Sequence, residues 1–336
     1  MHAWRIRYWT TSDYGQMRAV TGMVISPIKV TNGRQRRVIA WTHGLIGIAK
    51  RCAPSIGDQN FTAIPDLKEA IARGYTVVAP DYPGLGSDFV HPVLVGVSEG
   101  RSVLDAIRAA RGIPAANAGM RFAVWGESQG GHAALWTGQI AAKYAPELQL
   151  VGIAAIVPPT DLARNFAEGA DQRVRALLTA YTAASWTRHY GAPMSAFGTR
   201  SVQNVMTRLA HNNCVQFDAK PRLSTIVGIV IVEHAIRKIN LGARAPWGDL
   251  MRLNSPSASA ISVPALIATG TNDTIVAPAV VSDFVRSACK YGKTVRYLSV
   301  RGGEHATVAR TEALATLAWI EDRFDGKFAP NSCHLP

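Results

Sequence analysis

Residues 124–136, VWGESQGGHAALW, read as an apolar strand running into an alanine-rich helix, with Ser128 on the turn between them. Gly126-Glu127-Ser128-Gln129-Gly130 fits Gly-x-Ser-x-Gly, a pattern that carries meaning only in that strand–turn–helix context. The reason is steric. A serine held on so sharp a turn has a strained backbone, and its neighbours two positions either side must be small. The helix that starts there aims its free N–H groups and positive dipole end at whatever the serine attacks. The alternative is a serine that caps an ordinary helix, and the rest of the chain has to decide.

A serine hydroxyl is a weak nucleophile that needs a base, and the base needs an acid to hold its tautomer. On this kind of turn the partners follow in the order serine, acid, histidine, each just after a strand. PALIAT (264–269) is followed by GTND, which places Asp273 on the next loop; VRYLSV (295–300) is followed by RGGEH, which places His305 just beyond its end. The carboxyl ends of parallel strands open at one sheet edge, so Ser128, Asp273 and His305 should converge. The competitors are placed less well: Asp283 falls inside a predicted helix, Glu304 adjoins the histidine, and His132 lies one helical turn beyond Ser128. Donors for an oxyanion are expected from the Gln129 N–H and from His43-Gly44-Leu45, the loop after strand RVIAWT. Within that loop the Leu45 N–H is favoured over that of Gly44, and His43 reads as a residue that shapes the turn.

Further strands are expected at residues 4–11, 17–26, 37–42, 75–80, 121–125 and 150–157, and helices at 66–73, 99–111, 129–144, 280–291 and 307–324. Alternating strands and helices predict a mainly parallel sheet, here of eight strands, covered on both faces. The alternation stops between residues 158 and 260, where helices are predicted at 171–181, 202–210 and 223–239. That region leaves one strand and returns just before the next. The expected organisation is an α/β core of residues 1–157 and 261–336 carrying a helical insertion, 158–260, above the sheet. Within it the apolar run at 223–232 reads as a lid or as core, with core favoured.

Hydrophobic residues make up 48% and charged residues 18% of the 336, enough for a large core. The net charge is +13, but basic residues are spread from Arg5 to Lys327 and the densest cluster, Arg34, Arg36 and Arg37, is short. A nucleic-acid partner would call for charge concentrated on one element and interleaved with aromatics. A solvated basic surface, with at most peripheral attraction to anionic membranes, is the better reading. The longest uncharged stretch, 254–272, is broken by Pro256, Pro264 and Gly270 and makes no membrane helix. Residues 4–10 alternate like a strand rather than forming a signal peptide. Gly84-x-Gly86 opens no helix and is no dinucleotide motif. No cysteines have C-x-x-C spacing and no two histidines stand within five residues, so the zinc patterns are missing.

Longer stretches narrow the reading. WTHG (41–44) with CAPS (52–55), APDYPGLG (79–86), HPVLVG (91–96), EGRSVLDAIRAAR (99–111) and WGESQGGHAAL (125–135) together resemble the secretory lipase family of α/β-hydrolases, the fungal lipase A type with its bacterial relatives. The resemblance spans nearly the whole chain. It implies the α/β-hydrolase fold with a helical cap after the sixth strand, and hydrolysis of ester or lipid substrates without a cofactor. It also implies a place for Asp81, which stands where fungal members have an oxyanion-hole aspartate, although this chain keeps a His-Gly loop that they lack. By the same resemblance Cys289 and Cys333 would staple the tail, leaving Cys52 and Cys214 to join the oxyanion-side loop to the cap. Four cysteines allow three connectivities, which spacing does not resolve. An exported enzyme whose export segment is absent from this chain is expected, a cytoplasmic one being the alternative. Short- to medium-chain acyl esters are the expected substrates. A true lipase on long-chain triacylglycerols, an acyltransferase, a peptidase and a non-catalytic binding protein of the same fold are the other readings.

Overall fold

Strand residues Val38, Ile39 and Ala40, and Val77, Val78 and Ala79, are buried on both faces, as continuous apolar runs require of interior parallel strands. The computed structural model describes residues 1–28, 33–57, 61–215 and 221–334. Its strands are β1 (His2–Thr11), β2 (Met17–Ser26), β3 (Arg36–Thr42), β4 (Thr76–Pro80), β5 (Ala118–Glu127), β6 (Gln149–Ile156), β7 (Ala265–Gly270) and β8 (Val295–Val300). They form an eight-stranded sheet in the order β1-β2-β4-β3-β5-β6-β7-β8. The hairpin β1–β2 lies antiparallel on β4, and every pairing from β4 to β8 is parallel. The sheet is thus the mainly parallel one expected.

The period-two alternation of strand side chains divides the core. Val38, Ala40, Phe122 and Val124 point to one face, where α2 (Gly96–Arg111) and α3 (Gln129–Tyr144) cover them. Ile39, Trp41, Ala123 and Trp125 point to the other, under α1 (Leu67–Ala72) and the C-terminal helices. Between β6 and β7 come α4 (Leu162–Glu168), α5 (Gln172–Tyr190), α6 (Arg200–Asn212), α7 (Leu223–Ile236) and α8 (Trp247–Asn254). These helices pack around a core of their own, in which Trp186 stacks on Trp247 at 6.0 Å and Phe197 meets Trp247 edge-on at 4.9 Å. Ile48, Val93 and Val95, from loops at the carboxyl edge of the sheet, join the same cluster. The chain closes with α9 (Pro278–Lys290), packed on the α2–α3 face, and α10 (Val308–Thr311) and α11 (Ala313–Phe324) on the other.

Several elements differ from the sequence reading. The helix expected at 171–181 runs on to Tyr190, where Gly191 at φ 71° ends it. The one expected at 223–239 stops at Ile236, and the one at 307–324 is broken at Glu312. The helix expected from residue 99 begins at Gly96, because glycines there make room: a Cβ on Gly96 would lie 2.1 Å from the Trp136 ring. Low helix propensity marks close packing here, not a helix end. α7 is not the buried core favoured above. Thr225, Gly228, Val232 and Ile236 face inward, while Leu223, Ile226, Val227, Val230 and Ile231 are exposed.

The cysteines pair as Cys52–Cys214, 162 residues apart, and Cys289–Cys333, 44 apart. The first ties the loop after β3 to the segment following α6; the second ties the end of α9 to the C-terminal segment. Closing so long a loop restricts the unfolded chain. Replacing Cys52 and Cys214 together by serine is expected to remove about 2–5 kcal/mol of stability, measured as a lower guanidinium midpoint under non-reducing conditions.

Candidate active site

Ser128 sits between β5 and α3 with φ 54° and ψ −122°, a strained conformation for a residue with a side chain. What holds it is the approach of α3 to the end of β3. The Thr42 hydroxyl donates to the carbonyls of Gly130 (2.8 Å) and Trp125 (3.1 Å). A Cβ on Gly130 would lie 1.9 Å from the Thr42 carbonyl oxygen, and one on Gly126 would lie 1.9 Å from Thr42 Oγ1. The flanking glycines are thus steric necessities. Below the turn the Ser128 N–H donates to the Ile156 carbonyl (2.9 Å) and its own carbonyl accepts from His132 N (3.0 Å).

The loops after β7 and β8 bring Asp273 and His305 to this turn. His305 Nε2 lies 2.9 Å from Ser128 Oγ, and His305 Nδ1 lies 2.8 Å from Asp273 Oδ2. The other Asp273 oxygen accepts the N–H groups of Ile275 and Val276, both at 2.9 Å. Its side chain is fully buried and that of His305 is 9% exposed. The carboxylate is therefore fixed on three sides, and the imidazole it orients has one nitrogen left for the serine. The competing groups are engaged elsewhere. Asp283, on α9, pairs with Arg164 (2.6 Å) and Arg286, and Glu304 points to solvent.

The loop after β3 passes beside the serine: a Cβ on Gly44 would lie 3.5 Å from Ser128 Cβ. Leu45 and Gln129 line a cavity of about 50 Å³ that opens from Ser128, walled mainly by Leu94, Leu162, Phe166, Leu178 and Ile275. As the first residue of α3, Gln129 has an N–H with no intrahelical acceptor. His43 is buried below, its ring 4.5 Å from that of Tyr82 and its nitrogens 2.7 Å from the Gly44 carbonyl and 3.3 Å from that of Asp81. Burial pushes its pKa down. Asp81 is not brought to the cavity. It is fully buried, and its carboxyl accepts from Thr21 Oγ1 (2.6 Å), Ser55 N (2.8 Å) and Ser55 Oγ. Its carboxyl is held by β2 and by the segment at residues 53–55, not by the cavity.

A second buried group of polar residues lies behind the turn. Glu99 Oε1 accepts from the Leu94 N–H (3.0 Å) and from Gln129 Nε2 (2.7 Å), and its Oε2 lies 2.8 Å from His132 Nδ1. His132 Nε2 reaches the carbonyl of Asn254 at the end of α8 (2.7 Å), so both of its ring nitrogens are occupied away from Ser128. His91 completes the set: its Nδ1 donates to the Pro83 carbonyl (2.9 Å), so its Nε2 accepts from Gln129 Nε2 (2.8 Å). The signal was present in the sequence, since Glu99 falls on the apolar stripe of α2 with Val103, Ala106 and Ile107. A carboxylate on a buried stripe demands partners.

Two outcomes follow for the supports of the site. Gly130→Ala should lose about 1–3 kcal/mol or more, because the obstructing atom is backbone; thermal denaturation followed by circular dichroism measures it. The His91 pKa is pushed down to about 4 by burial. Its folded state thus stays neutral while the unfolded histidine takes a proton near its ordinary value. Its stabilising contribution is whole above about pH 6.5 and falls away toward pH 4, by about 3 kcal/mol. The pH dependence of unfolding over that range should be shallower in His91→Gln.

A model of the secretory lipase family matches residues 62–218 and 250–332. The chain is 24% identical to lipase A of Moesziomyces aphidis over 372 residues, covering 99% of this chain and 74% of that one. It is also 24% identical over 354 residues to a Mycobacterium tuberculosis protein named "Probable inactive lipase", with 97% and 74% covered. Among solved structures it resembles Candida antarctica lipase A in its closed state, with a TM-score of 0.81 at 21% identity over 99% of this chain and 80% of that one. It also resembles the rice cell wall degrading esterase of Xanthomonas oryzae, with a TM-score of 0.71 at 19% identity, 97% and 91% covered. At those identities the likeness is one of fold. With the family match extending over most of its length, this chain belongs to the secretory lipase family and is an ester hydrolase.

Proposed function

We propose that the protein is a serine carboxylesterase acting on short- to medium-chain acyl esters through an acyl-enzyme. The observation that carries this is the unbroken line Ser128–His305–Asp273 beside a cavity of about 50 Å³. In this reading Ser128 Oγ attacks the ester carbonyl carbon as His305 Nε2 takes its proton. Asp273 steadies the imidazolium. The N–H groups of Gln129 and Leu45 receive the oxyanion, each worth about 10²–10³ in rate. Collapse breaks the ester C–O bond, and the alkoxide leaves with the proton from His305. Water then repeats the sequence at the acyl carbon and releases the acid. A cavity well under the ~150 Å³ that holds a benzene ring favours small acyl groups. Residues 158–260 act as the cap that closes it. The two disulfides and the family suit an exported enzyme.

The outward face of α7 favours a second reading. Leu223, Ile226, Val227, Val230 and Ile231 are exposed together, and such a face suits contact with a lipid surface. The enzyme would then be a lipase working on long-chain triacylglycerols at an interface.

Hydrolysis of p-nitrophenyl esters from acetyl to palmitoyl tests both. Activity should peak among the shorter chains, and Ser128→Ala and Asp273→Asn, folded as the wild type, should each lose about 10⁴-fold or more in kcat. Faster turnover of emulsified long-chain triacylglycerol, rising sharply once the interface forms, would replace the esterase with the lipase. Silence on every ester, together with no labelling of Ser128 by a fluorophosphonate, would remove the serine mechanism.

A further inference from the structure

The exposed apolar residues of α7 lie on one helix face, at the spacing 223, 226, 227, 230, 231. The same line runs on to His234 and to Arg237, which closes the helix in a right-handed conformation. Lys238 follows, and Arg222 precedes the first turn; all four of these residues are exposed. The face is thus apolar along its middle and basic at both ends. Its surroundings lean the same way. Between residues 200 and 244 the described residues include six basic side chains, Arg200, Arg208, Arg222, Arg237, Lys238 and Arg244, against one acid, Glu233. None of the six is in an ion pair among the described residues.

At the C-terminal end of α7 a groove of about 270 Å³ runs between α4, α5 and the segment that follows α7. Arg175, Arg237, Lys238 and Asn240 are on its walls, and no acidic side chain is. Arg175 donates to the Ala167 carbonyl and to Gln172 and meets no carboxylate. An anion that only accepts hydrogen bonds, such as a phosphate diester, matches this set of donors. Phe166 and Arg175 also line the cavity beside Ser128, so groove and cavity share a wall.

Three occupants compete for such a face. A second copy would pair the face with itself about a two-fold axis. Whichever way the helices ran, that would bring together the basic ends of two chains of net charge +13. An uncharged oil surface would cover the apolar residues and leave the cations without partners. An anionic bilayer meets both demands, since an interfacial helix sinks its apolar face to the acyl boundary and sets its cations among the headgroup phosphates. α7, with fourteen residues, falls short of the ~20 that a membrane span requires.

We propose that α7 docks the protein on anionic phospholipid bilayers, its apolar face at the acyl boundary and the groove of Arg175, Arg237 and Lys238 on a lipid phosphate. The proposal goes beyond both substrate readings, because docking needs no turnover. Ser128→Ala is co-sedimented with vesicles of phosphatidylcholine alone and of an equal mixture with phosphatidylglycerol. Affinity for the mixed vesicles should be greater by about tenfold or more. Arg237→Gln with Lys238→Gln should weaken it about 30-fold, and Val227→Ser with Val230→Ser about tenfold. As a control, Arg111→Gln with Lys143→Gln removes the same charge at the far ends of α2 and α3. At that distance salt screens the effect, and the change should stay under about threefold. The substituted side chains on α7 and after it are exposed, so these variants keep the fold, which circular dichroism checks. Equal affinity for the two vesicles, an equal loss in the control, or no loss from the valine pair would overturn the proposal. So would a dimer in sedimentation velocity without vesicles that the valine substitutions convert to a monomer, since the face would then belong to a second copy. Ester hydrolysis by the wild type without vesicle binding would leave the esterase and remove the docking; vesicle binding without hydrolysis would do the reverse.

Discussion

The site depends on how closely the first turn of α3 approaches the end of β3. Thr42 touches both glycines of the turn, and its hydroxyl bonds the carbonyls of Trp125 and Gly130. That contact sets the left-handed backbone of Ser128 and the direction in which its Oγ points. The strain of such a conformation, of order 1–3 kcal/mol, persists only when the surroundings over-determine it. Here they do. The sheet holds the serine from below through Ile156, and α3 holds it from in front through His132 N.

A second layer of constraint joins the two halves of the molecule. Glu99 grips Gln129, Leu94 and His132, and His132 passes the connection to the Asn254 carbonyl, which also accepts from the Trp136 indole. The Asn254 side chain in turn bonds Gly96 and Tyr190. The turn at Ser128, the start of α2 and the ends of two inserted helices thus share one buried polar cluster. Inside a protein such a cluster rigidifies only when its members are satisfied.

The central strands and the positions of Ser128, Asp273 and His305 were legible because each rests on a local rule. Buried strands are short apolar runs, and all three residues stand where such a run ends. The inserted helices were legible only in part. α4 is seven residues long and shows no usable period, and α5 carries apolar and polar residues around its whole circumference because other helices surround it. α7, by contrast, is apolar all round, and that pattern is what a buried helix shows; its exposed face could be known only from where its neighbours stop. For Asp81 the sequence left the choice between oxyanion hole and loop anchor open, because Thr21 and Ser55, which occupy its oxygens, lie 60 and 26 residues away in the chain.

By itself the sequence determined the strand and helix order, the turn at Ser128 and the family to which these motifs are similar, all consequences of periodicity and of steric demands within a few residues. Only the tertiary structure decided which cysteines meet and which acids are held by donors away from Ser128. Those are outcomes of long-range packing. A side chain's chemistry is inherited from its residue type, but whether that chemistry is spent on a neighbour or left for a ligand depends on what folds against it.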